Sequence, residues 1–316
     1  MQTIRDINEI QLIEKKRYIA LGVFDGIHLG HKKLIENAVS SAKINGGLSM
    51  VMTFEPHPDR IIFPEKRHLH ITTLEEKKEI IKAIGVDILF ILKFGPWIKN
   101  MQPEVFIRRI LKEKLKAKEI FVGFNYKFGF KGKGNIDFLK NYENHYHYKT
   151  HVIEPKIIDG NIVSSTLIKK FIEKGDIERA EIYLGHNYTI SGKVVPGKNI
   201  GTRIMRIPTA NISIPGEKII PPNGVYLVSA KLGSNKYYGL MNIGYRPTFK
   251  GEEKSVEVHI FNFEMDIYEK DLTCIIMKRI RDEINFDSPI ELRDQIIRDI
   301  NLARKIITGK DRLVSE

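Results

Sequence analysis

The 316-residue sequence contains a single cysteine, Cys274, so no internal disulfide can form and the chain suits a reducing compartment. Cys274 lies in the apolar run Leu272-Thr-Cys-Ile-Ile-Met277, where a buried small hydrophobe is expected rather than a nucleophile. There is one tryptophan, Trp97, and its place after Gly95-Pro96 suggests an anchor between a loop and a sheet. No stretch approaches transmembrane length, and the opening residues lack the apolar core of a signal peptide. Internal repeats and low-complexity segments are absent. These absences predict a soluble cytoplasmic protein with no membrane partner. Acidic residues are outnumbered, 39 to 51, which leaves a net charge of +12. Lysine clusters such as Lys112-Glu-Lys-Leu-Lys-Ala-Lys118 mix in acids at helical spacing, the pattern of a solvated helix face. A basic surface also suits small polyanions, and no nucleic-acid partner is expected.

The most informative segment is Gly22-Val-Phe-Asp-Gly-Ile-His28-Leu-Gly-His31. It follows the apolar run Tyr18–Leu21, which predicts a buried strand, and precedes Lys32–Val39, which predicts a helix. Two histidines three residues apart therefore fall in the first turn of a helix after a glycine-rich strand exit. Free backbone N–H groups and the helix dipole gather at such a place, so it suits a phosphate. Gly30, between the histidines, lets a ligand approach the backbone. Paired imidazoles aimed at one point can hydrogen-bond the oxygens of a phosphorus centre as charge builds on them. Ordinary helix-capping histidines are the alternative, disfavoured by the surrounding glycines and the Phe24-Asp25-Gly26 turn. Chemistry on a nucleoside triphosphate is the expectation.

The length and a hydrophobic fraction of 42% allow two domains. In the first half, strand-like runs at 50–54, 88–94 and 119–123 alternate with helix-like runs at 73–84 and 103–115. This alternation predicts an α/β fold, a parallel sheet with helices on both faces and a site at the C-terminal strand ends. Ser164-Ser-Thr166 makes a natural N-cap for a helix that Gly175 closes. His145, His147 and His151 suggest an exposed edge strand rather than a metal site, and His68 and His70 suggest surface loops. After His186 the texture changes to short strands, at 188–195, 224–230, 237–242, 255–263 and 272–278, divided by Gly, Pro and Asn turns. Such regular short strands predict an antiparallel barrel. Ser288-Pro-Ile-Glu291 then starts a terminal helix with Ile296, Ile300, Ala303 and Ile307 on one stripe. The boundary is placed at 186/187, giving domains 1–186 and 187–316.

Two barrel segments carry candidate chemistry. Pro208-Thr209-Ala210-Asn211 sets a hydroxyl and an amide on one side if extended, and a hard cation or phosphate would accept both. In Ser255-Val-Glu-Val-His-Ile260 the apolar residues share one face, so Glu257 and His259 share the other. A carboxylate there can take a proton from a hydroxyl attacking a phosphate. An exposed glutamate on an edge strand has the same pattern and is the commoner case.

The order of the pieces resembles the bacterial bifunctional riboflavin kinase/FAD synthetase family along the whole chain. They are Gly22–His31, Thr53–Pro58, Val122–Gly129, Val163–Thr166, Pro208–Asn211, Asn223–Tyr226, Asn242–Phe249, Glu257–His259 and Arg281–Phe286. The resemblance implies a Rossmann-like nucleotidyltransferase domain in which FMN phosphate attacks the α-phosphorus of ATP to give FAD and pyrophosphate. His28 and His31 would stabilise the transition state. Gly22, Phe24, Asp25, Gly26 and Gly30 would line the ATP site, and Ser164, Ser165 and Thr166 would hold the triphosphate. Lys169, with Lys170, would stand where the family has an arginine. His57 and Asn125, with Phe54, Pro58, Tyr126 and Phe128, would shape the flavin side. In the barrel the 5′-hydroxyl of riboflavin would attack the γ-phosphorus of a second ATP. Glu257 would be the base, Thr209 a Mg²⁺ ligand, and Gly201, Arg203, Pro208 and Asn211 its neighbours around ATP. Arg281 would contact the kinase flavin.

The sequence departs from the family in two places. Val23 replaces an asparagine, removing one polar contact. The glycine-rich run before Pro208 reads Gly201-Thr-Arg-Ile-Met-Arg-Ile207, one residue longer than the family pattern and without its second glycine. Met205 and Arg206 stand where backbone would approach ATP, which leaves as the alternative a monofunctional FMN adenylyltransferase with an inactive or merely flavin-binding barrel.

Overall fold

The computed structural model describes residues 1–11, 14–197, 208–248 and 251–314. The chain divides into two units, one of residues 1–167 with 183–185, the other of 168–182 with 186–316.

The first unit is built on six parallel strands: β1 (Gln2–Ile4), β2 (Arg17–Leu21), β3 (Leu48–Glu55), β4 (Ile88–Lys93), β5 (Ala117–Gly123) and β6 (Lys149–Ile153). Their order across the sheet is β1-β4-β3-β2-β5-β6. All of β2 is buried, as a central strand covered on both faces must be, which is why Tyr18–Leu21 is a continuous apolar run, while Arg17 at its start donates to the carbonyls of Leu115 and Ile10. Ile19 and Leu21 pack on one face with Met50, Phe90 and Ile107. Tyr18 and Ala20 pack on the other with Leu34, Ile35 and Ala38 of the helix Leu29–Ile44. The strand order reverses beside β2, between β3 and β5, the place where open α/β sheets bind ligands. The helix Leu74–Ile84 starts with a Thr73–Glu76 capping box and stops at left-handed Gly85 (φ 90°), as its sequence predicts. A two-stranded hairpin, β7 (Ile157–Ile158) and β8 (Asn161–Ile162), precedes the helix Ser165–Glu173.

Three expectations need correction. The predicted helix at 103–115 is a short α-turn, Pro103–Val105, followed by a π-helix, Phe106–Lys114. Its buried residues are Phe106, Ile107, Ile110 and Leu111, and the wider winding brings Phe106 and Leu111, five residues apart, toward one face. His145, His147 and His151 do not share a strand. His145 lies in the short helix Glu143–Tyr146, His147 caps it with φ 56°, and only His151 is on edge strand β6. Trp97 is 49% exposed, and Ile98 beside it supplies the buried anchor instead.

The second unit contains a closed antiparallel barrel of β9 (Thr189–Val195), β10 (Ala210–Ser213), β11 (Gly224–Leu232), β12 (Asn235–Thr248), β13 (Gly251–Ile260) and β14 (Asp271–Arg281). They close in the order β10-β13-β12-β11-β14-β9. Tyr226, Val228, Met241, Val258 and Cys274 are buried, and burial pushes the Cys274 thiol up to about 12, so it is inert. The terminal helix Pro289–Val314 is capped by Ser288 Oγ, which accepts from Glu291 N at 3.2 Å. Its Ile300, Ala303 and Ile307 pack on Val225, Leu227 and Leu240. Among the described residues no helix is long and apolar enough to cross a membrane.

Candidate active sites

In the first unit, His28 is the N-cap of the helix Leu29–Ile44, and its Nδ1 accepts from His31 N at 3.3 Å. A nitrogen that accepts carries no proton, so His28 in this tautomer holds its N–H on Nε2. The two imidazoles stack with centroids 3.6 Å apart. A Cβ on Gly30 would lie 3.2 Å from His28 Cε1, so the glycine leaves that ring its place. His31 Nδ1 is buried without a hydrogen-bond partner among the described residues. Burial, then the neighbouring His28, lowers the His31 pKa well below 6.5, and Asp25 opposes the shift only in part. Both features favour a neutral ring at pH 7, able to donate one N–H to a phosphate oxygen.

The wall facing this pair comes from β3 and from the segment before the helix Leu74–Ile84. His57 caps the short helix Pro58–Ile62, with Nδ1 accepting from Asp59 N at 3.2 Å. His70 stacks on His57 at 4.5 Å, and its Nδ1 is 3.9 Å from Asp25 Oδ2. Burial and then His70 lower the His57 pKa to about 4. Asp25 joins the parts: Oδ1 accepts from Ile71 N (2.8 Å) and Thr72 N (3.4 Å), and its carbonyl accepts from Ser165 Oγ (2.8 Å). Ser164 Oγ accepts from Leu167 N at 3.3 Å, capping the helix on which Thr166 lies exposed and Lys169 follows one turn later.

The flavin-side candidates separate into two groups. Asn125 is exposed in the turn after β5, and Phe54 meets Phe94 edge-on at 5.6 Å at the end of β3. Tyr126 and Phe128 instead belong to the packed interior, stacked on one another at 5.8 Å, with Phe128 also against Phe106. Burial raises the Tyr126 phenol pKa.

In the barrel, β10 pairs with β13 so that Asn211 lies directly opposite Glu257. The Thr209 hydroxyl donates to Glu257 Oε2 at 3.4 Å, so the hydroxyl, amide and carboxylate form one cluster. Asn211 is 5% exposed, and its Oδ1 is buried with no hydrogen-bond partner among the described residues. An oxygen acceptor left open beside a hydroxyl and a carboxylate suits a hard cation. His259 Nδ1 donates to the Pro208 carbonyl at 2.9 Å, fixing the entry to this segment. A cavity of about 580 Å³ opens beside it, lined by Val194, Pro208, Thr209, Val258, Phe263 and Met265. Arg281 Nε donates to Asp299 Oδ2 at 2.9 Å and Nη1 to the Asp282 carbonyl. Gly201 and Arg203 lie outside the described residues.

A family model described as FAD synthetase matches residues 10–167, and one described as riboflavin kinase matches 184–307. A bifunctional riboflavin kinase/FMN adenylyltransferase of Buchnera aphidicola is 36% identical over 310 residues, covering 96% of this chain and 98% of the relative. The chain belongs to this bifunctional family. The Bacillus subtilis member is 35% identical over 306 residues, covering 95% of this chain and 96% of the relative. A solved structure described as a macrolide-efflux protein from Streptococcus pneumoniae is 32% identical, with a TM-score of 0.85 over 96% of this chain and 99% of that one. Two residues beside the candidate site are ones the sequence does not assign to it: His70, expected on a surface loop but stacked on His57, and Lys77, whose ammonium donates to the Val23 carbonyl. Their one signal is position, in the segment that follows the C-terminal end of β3.

Proposed function

We infer that this chain makes FMN from riboflavin and FAD from FMN, using one ATP for each step. The carrying observation is that each unit brings together its own cluster of side chains suited to phosphate chemistry. The first has a stacked imidazole pair at a helix start, and the barrel has Glu257 opposite Asn211 beside Thr209. The two family matches and relatives named for both activities support the bifunctional reading over a monofunctional adenylyltransferase. We place the domain boundary near 186/187. The lone cysteine supports a cytoplasmic location.

In adenylyl transfer an oxygen of the FMN phosphate bonds to the α-phosphorus of ATP as the bond to pyrophosphate breaks. A phosphate dianion needs no base, so the protein's task is to position the reactants and stabilise charge. His28 Nε2–H and the His31 N–H would donate to the α-phosphate oxygens as negative charge accumulates. Ser164, Ser165, Thr166 and Lys169 would hold the departing pyrophosphate, and His57, Phe54, Pro58 and Asn125 the flavin side.

In the barrel the riboflavin 5′-oxygen bonds to the γ-phosphorus as ADP departs, and Glu257 takes the hydroxyl proton. Thr209 Oγ1 and Asn211 Oδ1 would hold Mg²⁺, which when bound neutralises charge on the ATP phosphates. The cavity beside Pro208 and Thr209 is large enough for a nucleoside. Incubation with riboflavin and Mg-ATP should yield FMN and then FAD on chromatography. FAD from added FMN, with none from riboflavin, would leave only the adenylyltransferase. If neither FMN nor FAD forms, the proposal fails.

A further inference from the structure

Lys77 is buried on the helix Leu74–Ile84, and its ammonium donates to the Val23 carbonyl at 2.7 Å. The Thr53 hydroxyl on β3 donates to the same oxygen at 2.9 Å. One carbonyl thus takes a buried charge and a hydroxyl from two different elements. Phe24, the next residue, is held at φ 53°, and Ile27 at φ 40°. Side chains rarely adopt this region, and residues held there persist only where their surroundings impose it. The Phe24 ring in turn meets His31 edge-on at 5.3 Å. Ammonium, carbonyl, turn, ring and imidazole therefore form one contiguous series of contacts.

We propose that Lys77 is a positioning residue for adenylyl transfer, clamping the Val23 carbonyl together with Thr53 and so locking the strained Phe24 turn that seats His31 against His28. This rests on the reading of the first unit as the adenylyltransferase. Because the clamp uses the backbone of residue 23, the valine in place of the family's asparagine leaves it intact.

The ammonium also acts at a distance. Facing it are Asp25 from the strand exit, Glu55 from the end of β3, His31 from the helix Leu29–Ile44 and His57, itself beside Asp59 and His70. Burial lowers the Lys77 pKa, and the two carboxylates oppose that. Its positive charge disfavours protonation of His31 and His57. Removing the charge should move the His57 titration upward.

Two variants test this in the full-length chain. Lys77→Met removes the charge and keeps the length, whereas Thr53→Val removes the hydroxyl and keeps the shape. Each should lower kcat for FAD formation from FMN by about tenfold or more, with the KM for ATP within about threefold of wild type. Only Lys77→Met should raise the His57 midpoint, read by NMR of ¹³C-histidine-labelled protein with His57→Gln as assignment control. Circular dichroism and a wild-type-like dispersion of the histidine resonances in the same samples report folding of the first unit. Wild-type kcat in either variant, or an unmoved His57 midpoint in Lys77→Met, would overturn the proposal. Should Lys77→Met fail to fold, Thr53→Val decides it alone. No FAD from wild type would refute the adenylyltransferase reading instead, and the His57 midpoint would still test the ammonium's effect.

Discussion

His28 and His31 lie face to face, 3.6 Å between ring centroids and 17° between planes, with one ring's Nδ1 accepting from the other's backbone N–H. On the proposed reading, a pair held this way offers donors that need no reorganisation as charge develops. His31→Ala should reduce kcat for FAD formation by about 10²–10⁴-fold, or about 3–5 kcal/mol of transition-state stabilisation. Riboflavin phosphorylation should be untouched. Steady-state kinetics of both reactions on one preparation checks this, and equal loss of both would contradict separate sites.

Glu257 stands in the barrel opposite Asn211, within reach of the Thr209 hydroxyl. Glu257→Gln keeps the shape and removes the proton acceptor. FMN formation from riboflavin should fall by about 10²–10⁴-fold, the usual worth of a general base. FAD formation from supplied FMN should persist, which a coupled chromatographic assay would show.

His57 makes the fold sensitive to acid. Its folded-state pKa of about 4 lies below the ordinary 6.5, first because it is buried and next because His70 adjoins it. Above pH 6.5 the ring is neutral in both folded and unfolded chains and adds no pH dependence. Between 6.5 and 4 the unfolded chain binds the proton more readily, so stability falls with pH, by up to about 3 kcal/mol. Thermal unfolding of His57→Gln should be less acid-sensitive across that window, and an equal slope would contradict the assignment.

The terminal helix is tied to the barrel through a buried carboxylate. Asp299, 3% exposed, accepts from Arg281 Nε at 2.9 Å and from Gln295 Nε2 at 2.8 Å. Asp299→Ala would leave the guanidinium without this partner and should cost about 2–4 kcal/mol of stability, measured by denaturant unfolding. A cost near zero would mean that the pair contributes no more than a surface contact.

Local pattern made much of this molecule legible. The alternation of apolar runs and glycine stops announces the parallel sheet, and the short strands after His186 announce the barrel. His28 and His31 are legible because strand, turn and helix start lie within fifteen residues. His70 and Lys77 are not, because they join the site only through the pairing of β2 with β3 and the return of the next helix over the loop. Their contacts, Asp25 and Val23, are some fifty residues away in the chain. Tyr126 and Phe128 sit in a motif expected at the flavin, and both rings pack with the core, a placement that an aromatic motif alone does not announce. Arg281 shows the same limit: only the packed helix reveals that Asp299 holds it.

Two sites working in sequence on one chain can be tested most directly by mixing two defective proteins. His31→Ala given riboflavin and Mg-ATP should accumulate FMN without FAD, and Glu257→Gln should make neither. Together they should produce FAD, because FMN released by the first is the substrate of the second. A mixture that makes no FAD, or either variant alone making it at the wild-type rate, would contradict the account.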